Sequence, residues 1–314
     1  MKRRVLAAAA AIVLGLGALA GASPATADGH NAPYVALGDS MASGNGNLPY
    51  VDAACLRSAR SYPMQVSAAT GMPVVSAACT GALTTDLDPD TKDVATQIAG
   101  LVASGDLGPG TLLVTLTVGI NDLGWQYALG VCGTPGMEAA CAEAIQAMAA
   151  AGAQVPAKIF GLLTAVRTYA PTAAIVVTGY PKLFGEVAKS CSIGNLGGTP
   201  VKLPASLTAM ANMAIDGALD AQFPPSPDPA APADPAPGLN DAIAGATWAF
   251  AWQDPAQKTM FVDVDPAFQT HRLCDTGDRW ISGLVRGAPV TDRGLHPNAA
   301  GMSAFANSIL SLMP

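Results

Sequence analysis

The chain has 314 residues, half of them hydrophobic, and its 23 acidic residues outnumber 16 lysines and arginines for a net charge of −7. A negative surface repels phosphate backbones, so the charge argues against a nucleic-acid partner. A chain of this length can bury one large core, and one domain is therefore the default expectation.

Residues 1–27 have the pattern of a secretory signal peptide. The cations Lys2-Arg3-Arg4 precede an apolar run from Val5 to Leu19, and Ala25-Thr26-Ala27 is a small-x-small cleavage site. The run is short for a membrane span, and an uncleaved anchor is the alternative. We expect a secreted, extracellular protein whose mature domain, residues 28–314, has a net charge of −10 after the three cations are removed.

The elements that follow alternate between strands and helices. Strands are predicted over residues 34–37, 74–77, 112–118, 174–178 and 260–264, and helices over 62–70, 93–104, 138–152, 156–169, 203–221, 239–251 and 298–312. Such alternation predicts an α/β fold with a parallel sheet covered by helices on both faces.

One segment departs from this alternation. Residues from about 223 to 238 are rich in Pro and Ala, a composition that favours extended chain without internal hydrogen bonds. We interpret the segment as a surface excursion between two helices. A domain linker is the alternative, although few residues and a single strand follow it.

Six cysteines remain after cleavage of the signal peptide: Cys55, Cys79, Cys132, Cys141, Cys191 and Cys274. An even number in an exported chain implies disulfides, and the spacing alone leaves their pairing open. The absence of a CxxC spacing and the presence of only three histidines argue against structural zinc. We expect neither a metal nor another cofactor.

The first strand leads directly into Gly38-Asp39-Ser40. A hydroxyl at the end of a parallel strand lies at the carboxyl edge of the sheet, where sites form in α/β proteins. We interpret Ser40 as the nucleophile of a hydrolase. The alternative is an ordinary turn, since Gly, Asp and Ser all favour turns.

An activated serine needs a base, and acyl transfer needs donors for the developing oxyanion. His296 precedes the last predicted helix and is the candidate base, whereas a plain surface histidine is the alternative. Gly81 and Asn121 follow the second and third strands and could donate to the oxyanion, although each also suits an ordinary turn. We interpret His271 as structural.

Together these residues resemble the SGNH (GDSL-like) hydrolases. Ser40, Gly81, Asn121 and His296 occupy the four name-giving positions in family order. Two further segments, at residues 179–184 and 271–274, are similar to the GYPxLF and HxLC motifs of the secreted actinobacterial lipases and esterases. The resemblance covers nearly all of the mature chain outside the Pro/Ala-rich segment.

The resemblance implies a three-layer sandwich around a five-stranded parallel sheet with a flavodoxin-like order, and no metal requirement. It also implies sequential disulfides, namely Cys55–Cys79, Cys132–Cys141 and Cys191–Cys274. The oxyanion would be held by the main-chain N–H groups of Ser40 and Gly81 and by the Asn121 side chain.

One position departs from the family pattern. The family's aspartate lies three residues before the histidine, where this chain has Arg293, and Asp292 lies four before. Asp292 is therefore one candidate for orienting His296. The other is a main-chain carbonyl near Arg293, which would leave a Ser–His dyad.

The resemblance thus predicts a secreted serine esterase or lipase that hydrolyses carboxylic esters of small molecules or lipids. Alternatives are a carbohydrate O-deacetylase or phospholipase of the same fold, or a non-catalytic cell-surface binding protein. We expect a monomer that contacts lipid surfaces transiently.

Overall fold

The computed structural model describes residues 31–85, 92–196, 199–217, 238–285 and 294–313. The predicted signal peptide, residues 1–27, lies outside the described residues, as does the Pro/Ala-rich segment at about 223–238 apart from Gly238. The central sheet consists of β1 (Tyr34–Gly38), β2 (Val74–Ser76), β3 (Leu113–Thr117), β4 (Ala174–Thr178) and β5 (Thr259–Val262). All neighbouring strands are parallel, in the order β2-β1-β3-β4-β5.

This order is flavodoxin-like, and it confirms the predicted five-stranded α/β fold. Every residue of β1 and β3 is buried, as expected for strands covered on both faces. The buried threonines of β3 have partners, because Thr115 and Thr117 hydrogen bond to the hydroxyls of Tyr34 and Tyr62 at 2.9 and 2.8 Å.

Nine helices are described: α1 (Ser40–Ser43), α2 (Tyr62–Thr70), α3 (Val94–Ala103), α4 (Trp125–Cys132), α5 (Glu138–Gly152), α6 (Val155–Tyr169), α7 (Ala205–Asp216), α8 (Leu239–Ala251) and α9 (Ala299–Leu310). Helix α2 packs against α9, and α6 packs against α3 and α8. Crossovers between parallel strands are right-handed in almost all proteins, and by that rule these two groups cover opposite faces of the sheet, which gives the three layers.

Some elements differ from the sequence-based expectation. The predicted helix over 203–221 is described only from Ala205 to Asp216, because Pro204 is extended and Gly217 has a φ of 74°. Helix α4 and two small sheets were not predicted from the sequence. One pairs Tyr50–Asp52 with Arg57–Ser58, and the other places Ser190–Leu196 between Thr199–Pro204 and Leu284–Val285.

The six cysteines form the three sequential pairs that the family resemblance implies. Cys55–Cys79 ties the small hairpin after β1 to the loop that follows β2. Cys132–Cys141 joins the end of α4 to α5, and Cys191–Cys274 joins the second small sheet to the loop after β5. All three disulfides therefore brace loops around the carboxyl edge of the central sheet.

The helical run Glu138–Tyr169 is long and apolar enough to cross a membrane by length and composition, with a mean hydropathy of 1.3. It contains α5 and α6, and α6 packs against α3 and α8 in the layer over the sheet. Of the apolar window, 28% is buried, and a single run of this kind is weak evidence for a membrane span.

Candidate active site

Ser40 begins α1 immediately after β1 and is 5% exposed. Asp39 caps this short helix, since its Oδ1 accepts a hydrogen bond of 2.9 Å from the Met41 N–H. Gly38 has a φ of 141°, and a Cβ there would overlap the main-chain oxygen of Thr117 on β3. The tight approach of β1 to β3 therefore requires glycine just before the capping residue.

A buried amide on α3 holds the same turn from another side. Gln97 accepts a hydrogen bond from the Gly38 N–H at 2.9 Å and donates to the Gly38 carbonyl at 2.8 Å. The end of β1 is therefore fixed by side-chain contacts as well as by the sheet.

His296 lies next to Ser40, with 2.8 Å between His296 Nε2 and Ser40 Oγ. His296 Nδ1 is 2.9 Å from the Gly294 carbonyl oxygen. Because a carbonyl oxygen can only accept, this contact places the proton on Nδ1 and leaves the Nε2 lone pair directed at the Ser40 hydroxyl. Such an arrangement would suit a general base beside a nucleophile.

The loop that carries His296 is positioned mainly by the main chain. Leu295 has a φ of 63°, a left-handed conformation that is rare outside glycine. The Leu295 N–H donates to the Ser282 carbonyl, and the Ser282 N–H donates to the His296 carbonyl, both at 2.8 Å. Asn47 adds a side-chain bond of 2.9 Å to the Pro297 carbonyl.

The acid candidate Asp292 lies outside the described residues, as does Arg293. The acceptor observed for Nδ1 is the carbonyl of Gly294, the residue that follows Arg293. The geometry therefore supplies one orienting group for the imidazole without the Asp292 carboxylate.

The two remaining predicted residues converge on the same cavity. Gly81 follows β2 with a φ of 78°, and Asn121 begins a short 3₁₀ turn after β3. Asn121 Nδ2 donates to the Ala82 carbonyl at 3.0 Å, which fixes the direction of the amide. The structure thus brings Ser40, Gly81, Asn121 and His296 together around one cavity of about 100 Å³.

A charged cluster ties the two loops of the oxyanion candidates together. Asp122 accepts hydrogen bonds from the Thr84 N–H at 2.9 Å and from the Thr84 hydroxyl at 2.6 Å. Lys158 Nζ, on α6, lies 2.8 Å from Asp122 Oδ1. Asp122 thus stabilises the turn after β3 and connects it to the loop that carries Gly81. The Asp122 side chain is almost fully buried, which strengthens these contacts.

The cavity also contains residues that the sequence analysis did not select. Trp125 and Gln126, from the first turn of α4, and Leu183 line it together with Met41 and Ile120. Helix α4 was not predicted from the sequence, so the contribution of its first turn to the cavity lining could not be predicted either. Leu183 belongs to the segment similar to GYPxLF, which was the signal available for that side of the cavity.

Tyr180 of the same segment is a further missed residue. Its hydroxyl donates to Asp39 Oδ2 at 2.6 Å, and both residues are fully buried. Burial, the largest cause, raises the pKa of Asp39 to about 7 against the opposing effect of the Tyr180 and Met41 hydrogen bonds. Burial and then the Asp39 charge raise the pKa of Tyr180 well above its ordinary value.

His271 lies apart from this cavity. Its ring stacks on Trp280 with centroids 3.8 Å apart, and Nδ1 is 2.8 Å from the Asp278 carbonyl oxygen. These contacts organise the loop that contains Cys274, in agreement with the structural interpretation of His271. Within the described part of the chain, no group of His, Cys, Asp and Glu could hold a metal ion.

Two larger open grooves lie elsewhere on the described surface. One, of about 630 Å³, runs beside α9 and is lined by small residues and Trp280. The other, of about 400 Å³, lies between α3 and α6 and contains Lys158. Neither lining pairs a nucleophilic side chain with a base, so the small cavity at Ser40 is the better candidate despite its size.

Comparison with known proteins agrees with this geometry. A profile of the GDSL-like Lipase/Acylhydrolase family matches residues 36–304. The chain is 30% identical to a lipase of Streptomyces rimosus over 96% of this chain and 95% of that protein. It is 31% identical to Lipase 2 of Streptomyces coelicolor over 99% and 97% of the two chains.

Two solved structures have the same fold over most of the chain. The extracellular lipase from Streptomyces rimosus is 28% identical, with a TM-score of 0.61 over 88% of this chain and 98% of that one. Phospholipase A1 from Streptomyces albidoflavus is 25% identical, with a TM-score of 0.60 and the same coverage. The chain therefore belongs to the GDSL-like lipase/acylhydrolase family, in its actinobacterial lipase branch of SGNH hydrolases, and is a carboxylic ester hydrolase.

Proposed function

We propose that this protein is a secreted serine ester hydrolase that uses Ser40 as nucleophile and His296 as general base. The observation that carries the proposal is the 2.8 Å contact between Ser40 Oγ and a His296 Nε2 whose lone pair faces it. A base at hydrogen-bond distance is what converts a weak hydroxyl into a nucleophile.

The reaction would proceed in two halves. Ser40 Oγ attacks the acyl carbon while its proton moves to His296 Nε2, and the imidazolium then protonates the leaving alcohol. Water, deprotonated by His296, attacks the acyl-enzyme, and the Ser40 hydroxyl regains its proton as the carboxylic acid leaves. The Gly294 carbonyl keeps Nδ1–H in place throughout, so the catalytic unit is a Ser–His dyad.

The oxyanion would be held by the Ser40 and Gly81 main-chain N–H groups and by the Asn121 side chain. Ser40 is the first residue of α1, and N–H groups in a first turn have no intrahelical partner. Asn121 is held by Ala82 and by the neighbouring Asp122–Thr84 contact. Donors fixed before the reaction stabilise developing charge without reorganisation.

Secretion of a monomeric 28–314 domain is part of the proposal. The three disulfides are typical of proteins that fold in an oxidising compartment. The similar Streptomyces rimosus lipase is described as extracellular, which fits export of this chain after cleavage of residues 1–27.

Lipid esters are the favoured substrate class. Tyr127 is 63% exposed on α4, and the apolar Met137 and Ile145 are exposed beside and on α5, the helix that Cys132–Cys141 joins to α4. Because Trp125 of α4 lines the catalytic cavity, these side chains could contact a lipid surface transiently. Phospholipids are a second candidate, since phospholipase A1 from Streptomyces albidoflavus has the same fold.

A serine-reactive fluorophosphonate tests the proposed nucleophile. We expect labelling at Ser40 in the intact protein and none in Ser40→Ala, and p-nitrophenyl esters of increasing chain length then define the acyl preference. Labelling at a different serine would refute the assignment. A preference for acetylated sugars over acyl lipids would favour the carbohydrate O-deacetylase alternative.

A further inference from the structure

Tyr180 bridges two chain segments at the carboxyl edge of the sheet. It follows β4 by two residues and is fully buried. Its hydroxyl donates to Asp39 Oδ2 at 2.6 Å and accepts from the Ile120 N–H at 3.3 Å. A phenol has one donor hydrogen and can accept through its oxygen, so both contacts can exist together.

Each of the two partners immediately precedes a proposed oxyanion donor. Asp39 precedes Ser40 and also caps α1 through the Met41 N–H at 2.9 Å. Ile120 precedes Asn121 at the start of the turn after β3. A single hydroxyl therefore connects the chain segments that carry the two donors.

The bridge is itself anchored to the helix layer. Asn240 on α8 accepts from the Tyr180 N–H at 2.8 Å and donates to the Tyr180 carbonyl at 2.9 Å. Asn240 is buried, so these contacts are shielded from water. The tyrosine main chain is thus fixed, and the position of its hydroxyl follows from the position of β4 and α8.

We propose that Tyr180 is a positioning residue that sets the distance between the Ser40 and Asn121 donors of the oxyanion site. The inference rests on the proposed function of these two residues. Tyr180 acts only through Asp39 and Ile120, because its hydroxyl is occupied by them in the core. A displacement of about 1 Å at a reacting group can cost about 10²-fold in rate.

The Tyr180 hydrogen bond also affects the titration of Asp39. The charged and titratable groups around this carboxyl are Tyr180, Tyr62 and Asp122. His296 is also near, because it contacts Ser40, the residue that follows Asp39. The Tyr180 bond lowers the pKa of Asp39 relative to burial alone. Its removal should therefore raise the pKa of Asp39, a group that takes no proton in the proposed reaction.

Tyr180→Phe tests the inference, with Tyr34→Phe as the matched control. Tyr34 is also fully buried, but its hydroxyl bonds to Thr115, away from the catalytic cavity. We expect Tyr180→Phe to lower kcat by about 10- to 100-fold with little change in KM. Tyr34→Phe should change neither kcat nor KM.

Asp39→Asn provides a second test that does not depend on the folding of Tyr180→Phe. Asparagine can accept from the Met41 N–H and donate to the Tyr180 oxygen. The Tyr180 hydrogen then loses its acceptor, but a hydrogen bond between the two side chains remains, so kcat should fall by less than about tenfold. A loss as large as in Tyr180→Phe would overturn the inference, because the buried charge would then sustain the rate. Equal losses in the two tyrosine variants would also overturn it.

The Ser40→Ala variant separates this inference from the proposed function. Activity that persists in Ser40→Ala would refute the proposed site itself. If Ser40→Ala is inactive while folded Tyr180→Phe keeps the wild-type kcat and KM, only the positioning role is refuted.

Discussion

The nucleophile turn (Gly38–Gly44) and the histidine loop (Gly294–Asn298) meet at one hydrogen bond but are built differently. The nucleophile turn is buried and held by side chains, since Gln97 binds Gly38 and Tyr180 binds Asp39. The histidine loop is partly exposed and held largely by main-chain bonds to Ser282 and Trp280. Even the imidazole is oriented by a main-chain oxygen, that of Gly294.

The difference indicates how well each of the two regions tolerates sequence change. Side-chain partners exist only for particular residue types, so the nucleophile turn depends on glycine, aspartate, glutamine and tyrosine at defined positions. A main-chain carbonyl is supplied by any residue. The histidine loop can therefore keep its geometry even though Arg293 occupies the position of the family's usual acid.

The largest expected effect is a loss of kcat that is the same for a substitution in either region. Ser40→Ala and His296→Ala should each lower kcat by about 10⁶-fold, because nucleophile and base act as a unit. The double variant should lose little more than either single one. The measurement is kcat on a p-nitrophenyl ester with folding checked by circular dichroism, and additive losses would contradict a coupled dyad.

Asn121→Ala tests a proposed oxyanion donor whose neighbour Ile120 is connected through Tyr180 to the nucleophile turn. It should lower kcat by about 10²–10³-fold, the usual cost of one oxyanion donor, with little change in KM because the contact strengthens in the transition state. Gln126→Ala, in the same cavity lining, removes only a 3.4 Å hydrogen bond to Asn121 Oδ1 and should have a smaller effect on kcat, because Ala82 still holds the Asn121 amide. A large rise in KM with constant kcat would instead make Asn121 a substrate-binding residue.

The buried Asp39 makes stability depend on pH. Its pKa is about 7 in the folded protein, above the ordinary 3.8, so between these values the native state holds a proton that the unfolded chain has released. Stability therefore falls as pH rises through this window, by up to about 4 kcal/mol relative to Asp39→Asn. Urea unfolding at pH 4 and pH 8 measures this, and equal differences at both pH values would contradict it.

The same substitution in the two regions sharpens the contrast. Gly38→Ala should reduce the free energy of unfolding by about 2–4 kcal/mol, because its φ is unfavourable and the new Cβ meets the main chain of Thr117. Gly294→Ala should cost less than about 1 kcal/mol. Its Cβ meets the Leu284 Cδ2 at 2.5 Å, the movable end of a side chain. Similar losses in chemical denaturation would contradict the distinction.

The smallest expected effect is that of Asp292→Asn. If the Gly294 carbonyl orients His296, kcat should fall less than about tenfold, whereas loss of a triad acid costs about 10⁴-fold in the well-studied serine protease case. The basic limb of the pH–rate profile should persist, since His296 still titrates. A loss of several thousandfold in a folded variant would make Asp292 a triad member.

Local sequence determined the main elements of this protein. Runs of apolar and β-branched residues such as Leu113–Thr117 favour a strand that is buried on both faces. Helices α2 and α5 begin and end at the residues predicted from the sequence. The candidate site residues could also be predicted from the sequence, because strand ends in a parallel sheet meet at one edge. Ser40, Gly81 and Asn121 follow three strands that are adjacent in the order β2-β1-β3.

Only the tertiary structure decided what orients and supports these residues. The Tyr180–Asp39 bond spans 141 positions, and the Gly294 carbonyl reaches His296 because Leu295 adopts a left-handed conformation. The sequence left Asp292 and a main-chain carbonyl near Arg293 as candidates for orienting His296, and it did not indicate the Tyr180–Asp39 bond, since hydrogen-bond partners depend on distances set by packing. Sequence alone therefore determined which groups meet at the sheet edge, and packing decided which partners hold them there.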